Sequence, residues 1–321
     1  MEFKDLCEEL DKVLRLDVGL RGVVDELYQA ARSLVSAPLV EAASKLIGEV
    51  MCGRVIVVTG FKVPPRMAQE TDGPPGALVL AKTLMELGLE VSLAIEEDSI
   101  EVLKAGAEVL DLECRTISLP VDRPLTDSLR ELLEPRGPAL LVFVEKVGAN
   151  DVGVYHTMFG VDVSRHHSKA EDLLEEARRA GAKVIAIGDG GNEVGFGAIK
   201  DAVRAFVPRG RDCGCPCRGG IAASSKADIV VASSISNVGC YAVSCALSAL
   251  NRLAWPHDHD TELKLLKAMV DAGAVDGLSG EGVARVDGVP VEVLASLVDL
   301  LSHMTNEYLK RSEGQGYRGE A

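Results

Sequence analysis

The sequence predicts an α/β fold: a doubly wound, mostly parallel sheet with flanking helices, preceded by an N-terminal helical extension over residues 1-50. Three observations predict it. Short, apolar, β-branched runs such as Val55-Ile56-Val57-Val58 and Val184-Ile185-Ala186-Ile187 recur from Arg54 onward, as strands buried on both faces do. Helical segments separate these runs one by one, and that alternation implies parallel strands joined by crossovers. No linker or internal repeat divides residues 51-321, which read as one domain.

Residues 2 to about 50 carry helical stripes and no strand pattern. Leu6, Leu10, Val13 and Leu14 form one stripe; Val23, Val24, Leu27, Ala30, Ala31 and Leu34 form a second, and Pro38 opens a third at its first turn. The extension caps the main domain or joins two copies, so a homo-oligomer is one expectation. Strands are then predicted at Val55–Val58, Val91–Ile95, Thr116–Leu119, Leu140–Val144, Val184–Ile187 and Ile229–Val231. Between them lie helices at Ala77–Leu87, Ser99–Ala105, Leu125–Leu133 and Ala170–Ala180, with another starting near Glu193 behind Asn192 as N-cap. Asp98 with Glu101, and Ser168 with Glu171, have capping-box spacing, and Pro74-Pro75 suits a first helical turn. The last third is helical at Gly239–Leu253, Thr261–Ala272 and Val291–Lys310, then a polar tail.

With 47% hydrophobic residues among 321, the chain can bury a large core. Its net charge of −15 argues against nucleic acid and anionic membrane surfaces as partners. The start, MEFKDLCEEL, lacks the layout of a secretory signal, and no apolar run approaches the roughly 18 residues of a membrane span. A cytoplasmic location is the expectation. Few Asn and Gln beside plentiful Glu, Arg and Val lean toward a thermophile, where some of the eight Cys can be paired despite an intracellular setting.

Polar residues without an evident structural duty collect in four loops at strand carboxyl ends, where ligands of open α/β sheets bind. The central one follows Val184–Ile187: Gly188-Asp189-Gly190-Gly191-Asn192-Glu193. It lacks the Lys of a phosphate loop and the third glycine of a dinucleotide fingerprint. Two carboxylates beside such a turn suit an ammonium group, a divalent cation or proton transfer. The long loop after the first strand offers Thr71, Asp72 and Gly73; the fourth strand ends in Glu145-Lys146, with Asn150 and His156 beyond; the sixth leads into Ser236 and Asn237. Asp72, Glu145, Asp189 and Glu193 are also the oxygen ligands that Mg²⁺ or Mn²⁺ would use, the one cofactor expectation.

Cys213, Cys215 and Cys217 alternate with Gly and Pro, which matches neither paired CxxC zinc ligands nor ferredoxin spacing. Free thiols or a disulfide in a tight loop come first, metal ligation second. His257-Asp258-His259-Asp260 precedes a helix and reads as a capping turn.

The segments TGF with ETDGPPGA (Thr59, then Glu70 to Ala77), EKVGANDVGVYH (Glu145 to His156), GDGGNEVGFG (Gly188 to Gly197) and SNVGCYA (Ser236 to Ala242), in that order, resemble the D-glutamate cyclase family. The resemblance extends to the AGAVDGLSG segment at Ala272–Gly280. Two departures are Val238, where the family typically has Trp, and the Asp212–Gly220 segment, which the mitochondrial form lacks. The resemblance implies conversion of D-glutamate to 5-oxo-D-proline and water. Ring closure needs a base for the α-ammonium, an acid for the departing oxygen and donors for the anions. Asp189 or Glu193 is the candidate base, Glu145 the acid, and Lys146 the partner of the carboxylate under attack. Thr71, Asp72, Gly73, Asn150, His156, Gly190, Gly191, Asn192, Ser236 and Asn237 are the candidate substrate contacts. The alternatives are a metal-dependent lyase or hydrolase on another amino-acid derivative, and a non-catalytic amino-acid sensor on the same fold.

Overall fold

The computed structural model describes residues 2–50, 53–133 and 137–315. Three helices come first: α1 (Phe3–Leu14), α2 (Val24–Ser33) and α3 (Leu39–Gly48). The main unit starts with β1 (Arg54–Gly60), whose seven residues are all buried. A two-residue antiparallel ladder, β2 (Lys62–Val63) with β3 (Ala68–Gln69), interrupts the loop to α4 (Pro74–Glu86). Then follow β4 (Glu90–Glu96), α5 (Ile100–Val109), β5 (Arg115–Leu119), α6 (Thr126–Leu133), β6 (Leu140–Lys146), α7 (Ala170–Arg179), β7 (Lys183–Gly188), α8 (Lys200–Phe206) and β8 (Ile229–Ala232). The chain ends with α9 (Ser236–Leu250), α10 (His259–Asp271), the hairpin β9 (Arg285–Val286) with β10 (Val289–Pro290), and α11 (Val291–Gln315). The polar tail beyond 315 lies outside the described residues.

The six long strands form one parallel sheet in the order β5-β4-β1-β6-β7-β8. The chain builds outward from β1 to one edge, then restarts at β6 and builds to the other. Connections from β1 and β6 therefore leave in opposite directions, and a crevice opens beyond their carboxyl ends. Helices cover both faces. Ile56, Val58 and Leu141 meet Leu129 and Leu133 of α6 and Leu173 and Ala177 of α7. On the opposite face α9 is buried almost throughout and so is apolar or small all round. Gly239 lets it approach β7: a Cβ there would stand 2.6 Å from the Ile187 side chain. Leu6, Leu10, Leu27, Leu39 and Ile47 of the N-terminal helices join the same core as β1, α4 and α9. Each such Leu or Ile contributes roughly 1.5–3 kcal/mol when fully buried. None of the helices among the described residues is long and apolar enough to cross a membrane.

Three local expectations are corrected. The segment after Asn192 is not helical; Gly195 at φ +98° turns the chain, and α8 starts only at Lys200. Neither proposed capping box forms, because the residues have stronger partners elsewhere. Asp98 takes the Lys62 ammonium, and Ser168 gives its N–H and hydroxyl to Glu96 at 3.1 and 2.9 Å. By contrast, Asp258 caps α10 as read, accepting the Thr261 N–H at 2.8 Å.

Candidate active site

Beyond the carboxyl ends of β1, β6 and β7 the chain gathers a cluster of carboxylates, all buried except the half-buried Asp287. The loop from β1 supplies Glu70 and Asp72, β6 supplies Glu145, the glycine turn after β7 supplies Asp189 and Glu193, and the β9–β10 turn supplies Asp287. Local backbone aims several of them. Val144 pairs with Thr59 and Lys146 with Gly60, so Glu145 is the extra residue of a bulge, at φ +42°. A non-glycine residue held in the left-handed region costs on the order of 1–2 kcal/mol, and bulges of this kind re-aim side chains beside active sites. Gly73, at φ +95°, lets the Asp72 loop press against this bulge; a Cβ would meet the Glu145 Cβ at 2.7 Å.

Two helix starts are knitted together at the floor of the cluster. Asp72 accepts the Ser236 and Asn237 N–H groups of α9, both at 2.8 Å. Asn237 in turn accepts from Gly73 and Gly76 at the start of α4, at 3.0 and 2.9 Å, and donates to the Thr71 carbonyl at 3.0 Å. The start of α9 is thus capped from the loop before α4, and the start of α4 from the first turn of α9. The Ser236 hydroxyl donates to Glu145 at 2.5 Å. In the glycine turn, Glu193 folds back and accepts the N–H groups of Asp189, Gly190 and Gly191 at 2.8, 2.6 and 2.7 Å. A protein carboxylate therefore fills the anion-binding nest that the turn creates.

The countercharge comes from the N-terminal extension. Asp17 accepts the N–H groups of Arg21 and Gly22 at 2.9 and 2.6 Å, shaping a turn that directs Arg21 into the cluster. The Arg21 guanidinium grips Asp189 through both terminal nitrogens and donates to Asp287 at 2.9 Å. Among the described residues, Arg21 is thus the guanidinium of a six-carboxylate cluster, paired with two of its members, and the acidities of Glu70, Asp72, Glu145, Asp189 and Asp287 show it. Burial, then repulsion from Asp287, pushes Asp72 up to about 7. Burial and the Asp189 charge push Asp287 to about 7. Burial raises Asp189 only to about 6, because Arg21 opposes the shift. Glu145 and Glu70 are raised well above the usual carboxylate range by burial and by their acidic neighbours.

The candidate residues divide between this cluster and other duties. Asp72, Gly73, Glu145, Asp189, Gly190, Gly191, Glu193, Ser236 and Asn237 converge. Four of these serve differently from expectation: the N–H groups of Gly190, Gly191, Ser236 and Asn237 are already given to Glu193 and Asp72 rather than held for a substrate carboxylate. Thr71 binds the Arg285 carbonyl at 2.6 Å, tying down the β9 hairpin. Lys146 is turned to the opposite side of β6, where it is fully buried against Glu96, so it does not neutralise a substrate held by Glu145. Asn150 and His156 face the cysteine loop: the Asn150 amide donates to the Gly220 carbonyl at 2.8 Å, and His156 lies 3.3 Å from the Cys215 sulfur. Asn192 binds the His156 carbonyl at 2.9 Å, bridging the two regions. The cysteines of that loop are free thiols with sulfurs 3.2 and 3.4 Å apart, not a disulfide.

Sequence reasoning missed Arg21, Glu70 and Asp287. Asp287-Gly288 between Val286 and Val289 is a two-residue hairpin signal, and both central residues do take positive φ. Arg21 carried no such mark, since it belongs to a helical arm that the strand pattern ignores.

Fold and site together define a doubly wound α/β protein with a buried acidic centre at its switch point. A profile of the family described as D-glutamate cyclase-like, C-terminal, matches residues 10–302, and the chain belongs to that family. The match takes in Arg21, the end of α1 before it and all of α2 after it. The mitochondrial D-glutamate cyclase of Homo sapiens is 28% identical over 346 aligned positions, covering 91% of this chain and 51% of that protein. The chain thus spans about half the length of that curated relative.

Proposed function

We propose that this chain is a D-glutamate cyclase-like lyase that dehydrates D-glutamate to 5-oxo-D-proline. One observation carries the reading: six clustered carboxyls, five buried and Asp287 half-buried, have one guanidinium among them, paired with Asp189 and Asp287, an imbalance that an ammonium group entering the cluster would reduce. Membership of the family and the name of its human relative support the choice of substrate.

The reaction removes two protons from the substrate nitrogen as it bonds to the γ-carboxyl carbon. One γ-oxygen leaves with those two protons as water, so no net proton is exchanged. A site that performs it needs one carboxylate ionised and one protonated at the same pH. The cluster offers a candidate for each. Asp189, at about 6 and paired with Arg21, is ionised near neutrality and takes the ammonium proton. Glu145, raised well above the usual range by burial and the neighbouring Asp189 charge, is the carboxyl suited to deliver a proton to the departing oxygen. Ser236 fixes Glu145, and Arg21 is the group that pairs with a substrate carboxylate when the ammonium takes its place beside Asp189.

A second reading places a divalent cation in the same centre. Asp72, Asp189 and Asp287, and likewise Glu145, Asp189 and Glu193, each bring one oxygen per residue within 4.8 Å of one another. These hard oxygen donors suit Mg²⁺ or Mn²⁺, which would polarise the carboxyl group under attack.

The test is to incubate the protein with D- and L-glutamate, with and without Mn²⁺, and to follow 5-oxoproline by chiral chromatography. D-selective product that disappears in Asp189→Asn is the expected result. No product under any condition, with D-glutamate leaving the melting temperature unmoved, would end the cyclase reading.

A further inference from the structure

Outside the acidic cluster, a second group of potential ligands assembles from two distant segments. His156 lies in the loop after β6; Cys213, Cys215 and Cys217 lie in the loop between α8 and β8. Four ligand atoms, the His156 ring nitrogen and three sulfurs, all fall within 4.8 Å of one another. The Cys213 sulfur stands 3.2 Å from that of Cys215 and 3.4 Å from that of Cys217; His156 Nε2 stands 3.3 and 3.5 Å from the sulfurs of Cys215 and Cys217.

These spacings discriminate between chemistries. A disulfide needs sulfurs about 2.05 Å apart, and none of these pairs approaches it. An iron–sulfur cluster must fit several atoms between its cysteine sulfurs, for which this group is too tight. A single tetrahedral ion with metal–sulfur bonds of about 2.3 Å places its sulfurs about 3.8 Å apart, a few tenths of an ångström beyond what is seen. Small side-chain rotations cover that difference. We propose that His156, Cys213, Cys215 and Cys217 bind one structural zinc ion through a Cys₃His set.

The surrounding backbone is built for such a site. Gly214, at φ +78°, turns the chain so that Cys213 and Cys215 point the same way despite their spacing of two. Gly160 allows the His156 loop to touch the cysteine turn; a Cβ there would stand 2.1 Å from the Cys213 carbonyl oxygen. The Cys217 sulfur accepts from the Gly219 N–H at 3.4 Å and from the Asn150 amide at 3.6 Å, the outer donors that a metal-bound thiolate attracts. With four protein ligands the site is closed, and a closed zinc site stabilises structure rather than activating water. Through the Asn192 bond to the His156 carbonyl, the ion braces the glycine turn that carries Asp189 and Glu193.

The test is elemental analysis of protein purified without an affinity tag or chelator, beside Cys215→Ser, Cys217→Ala and Asp189→Asn variants. About one zinc per chain is expected in the wild type and in Asp189→Asn, with at least a roughly tenfold loss in the two cysteine variants. Cobalt exchanged into wild-type protein is expected to give the intense visible bands of a tetrahedral thiolate complex, a readout independent of whether the variants fold. Folded wild-type protein that takes up neither zinc nor cobalt would overturn the proposal. So would iron with inorganic sulfide, or zinc retained by both cysteine variants but lost from Asp189→Asn.

Discussion

Glu145 and Lys146 are adjacent at the end of β6, yet they enter two buried charge clusters of opposite character. On one side Lys146 meets Glu96, which also accepts two hydrogen bonds from Ser168. There burial works against the Glu96 carboxylate, but the Lys146 ammonium, helped by the Ser168 hydrogen bonds, more than offsets it, and its acidity is strengthened. His167 is pressed down to about 4 by burial; it accepts the Lys62 N–H at 2.8 Å and faces the Val163 carbonyl at 3.0 Å, so it is neutral. Charge on that side is balanced and hydrogen-bonded. On the other side Glu145 joins five further carboxylates around Arg21, and its acidity is weakened. Burial is common to both sides, so it is not what marks the candidate site. The imbalance marks it: a balanced cluster holds the fold, and an unbalanced one stores demand for a cation.

That contrast breaks or sharpens through substitution on each side. The largest effect is expected from Asp189→Asn, which removes the proposed base: cyclisation falls by roughly 10³-fold, within the reach of losing a positioned proton acceptor, while far-UV circular dichroism stays native. Steady-state assays of 5-oxoproline would check it. On the balanced side, Lys146→Met leaves Glu96 buried without its partner and is expected to cost about 3–5 kcal/mol of stability, read from urea unfolding, with kcat of the remaining folded protein preserved. Equal loss of kcat in the two variants would erase the distinction.

Asp287→Asn is expected to act in the opposite direction from Lys146→Met. It relieves one negative charge in the acidic cluster, and Asn tolerates the left-handed φ of +51° at that position. Stability should rise by about 1–2 kcal/mol at neutral pH. The same carboxyls set a pH dependence. Asp72, Asp189 and Asp287 hold protons up to about 7, 6 and 7, whereas the unfolded chain releases them near 3.8. Between those values the folded state binds more protons, so the cluster's contribution to stability falls as pH rises from about 4 to about 7. Calorimetry across that window should show the decline, and a shallower slope in Asp287→Asn.

What the sequence revealed follows from the range of the forces involved. The six long strands were legible because each is a local apolar run. Ligands of such sheets gather at strand carboxyl ends, and that rule alone was enough to group Asp72, Glu145, Asp189 and Glu193. Side-chain direction was legible only in part: alternation put Glu145 and Lys146 on opposite sides, but nothing local revealed Glu96 as the waiting partner of Lys146. The N–H groups of the glycine turn read as free for a substrate because the backward fold of Glu193 onto them was not visible. Arg21 and Asp287 lie 266 residues apart and meet only through tertiary packing. The same holds for His156 and the three cysteines, whose spacing in the chain resembles no common metal motif although their spacing in space does.

The central claim is that the acidic cluster awaits an ammonium group, and comparing D-glutamate with glutarate tests it most directly. Glutarate keeps both carboxylates and lacks only the amine. Isothermal titration at neutral pH is predicted to show D-glutamate binding to the Glu145→Gln variant, which slows turnover during the measurement, and glutarate binding at least tenfold more weakly, about 1.4 kcal/mol. Equal binding of the two ligands, or tighter binding of glutarate, would show that the carboxylates are not there to receive a cation and would contradict the account.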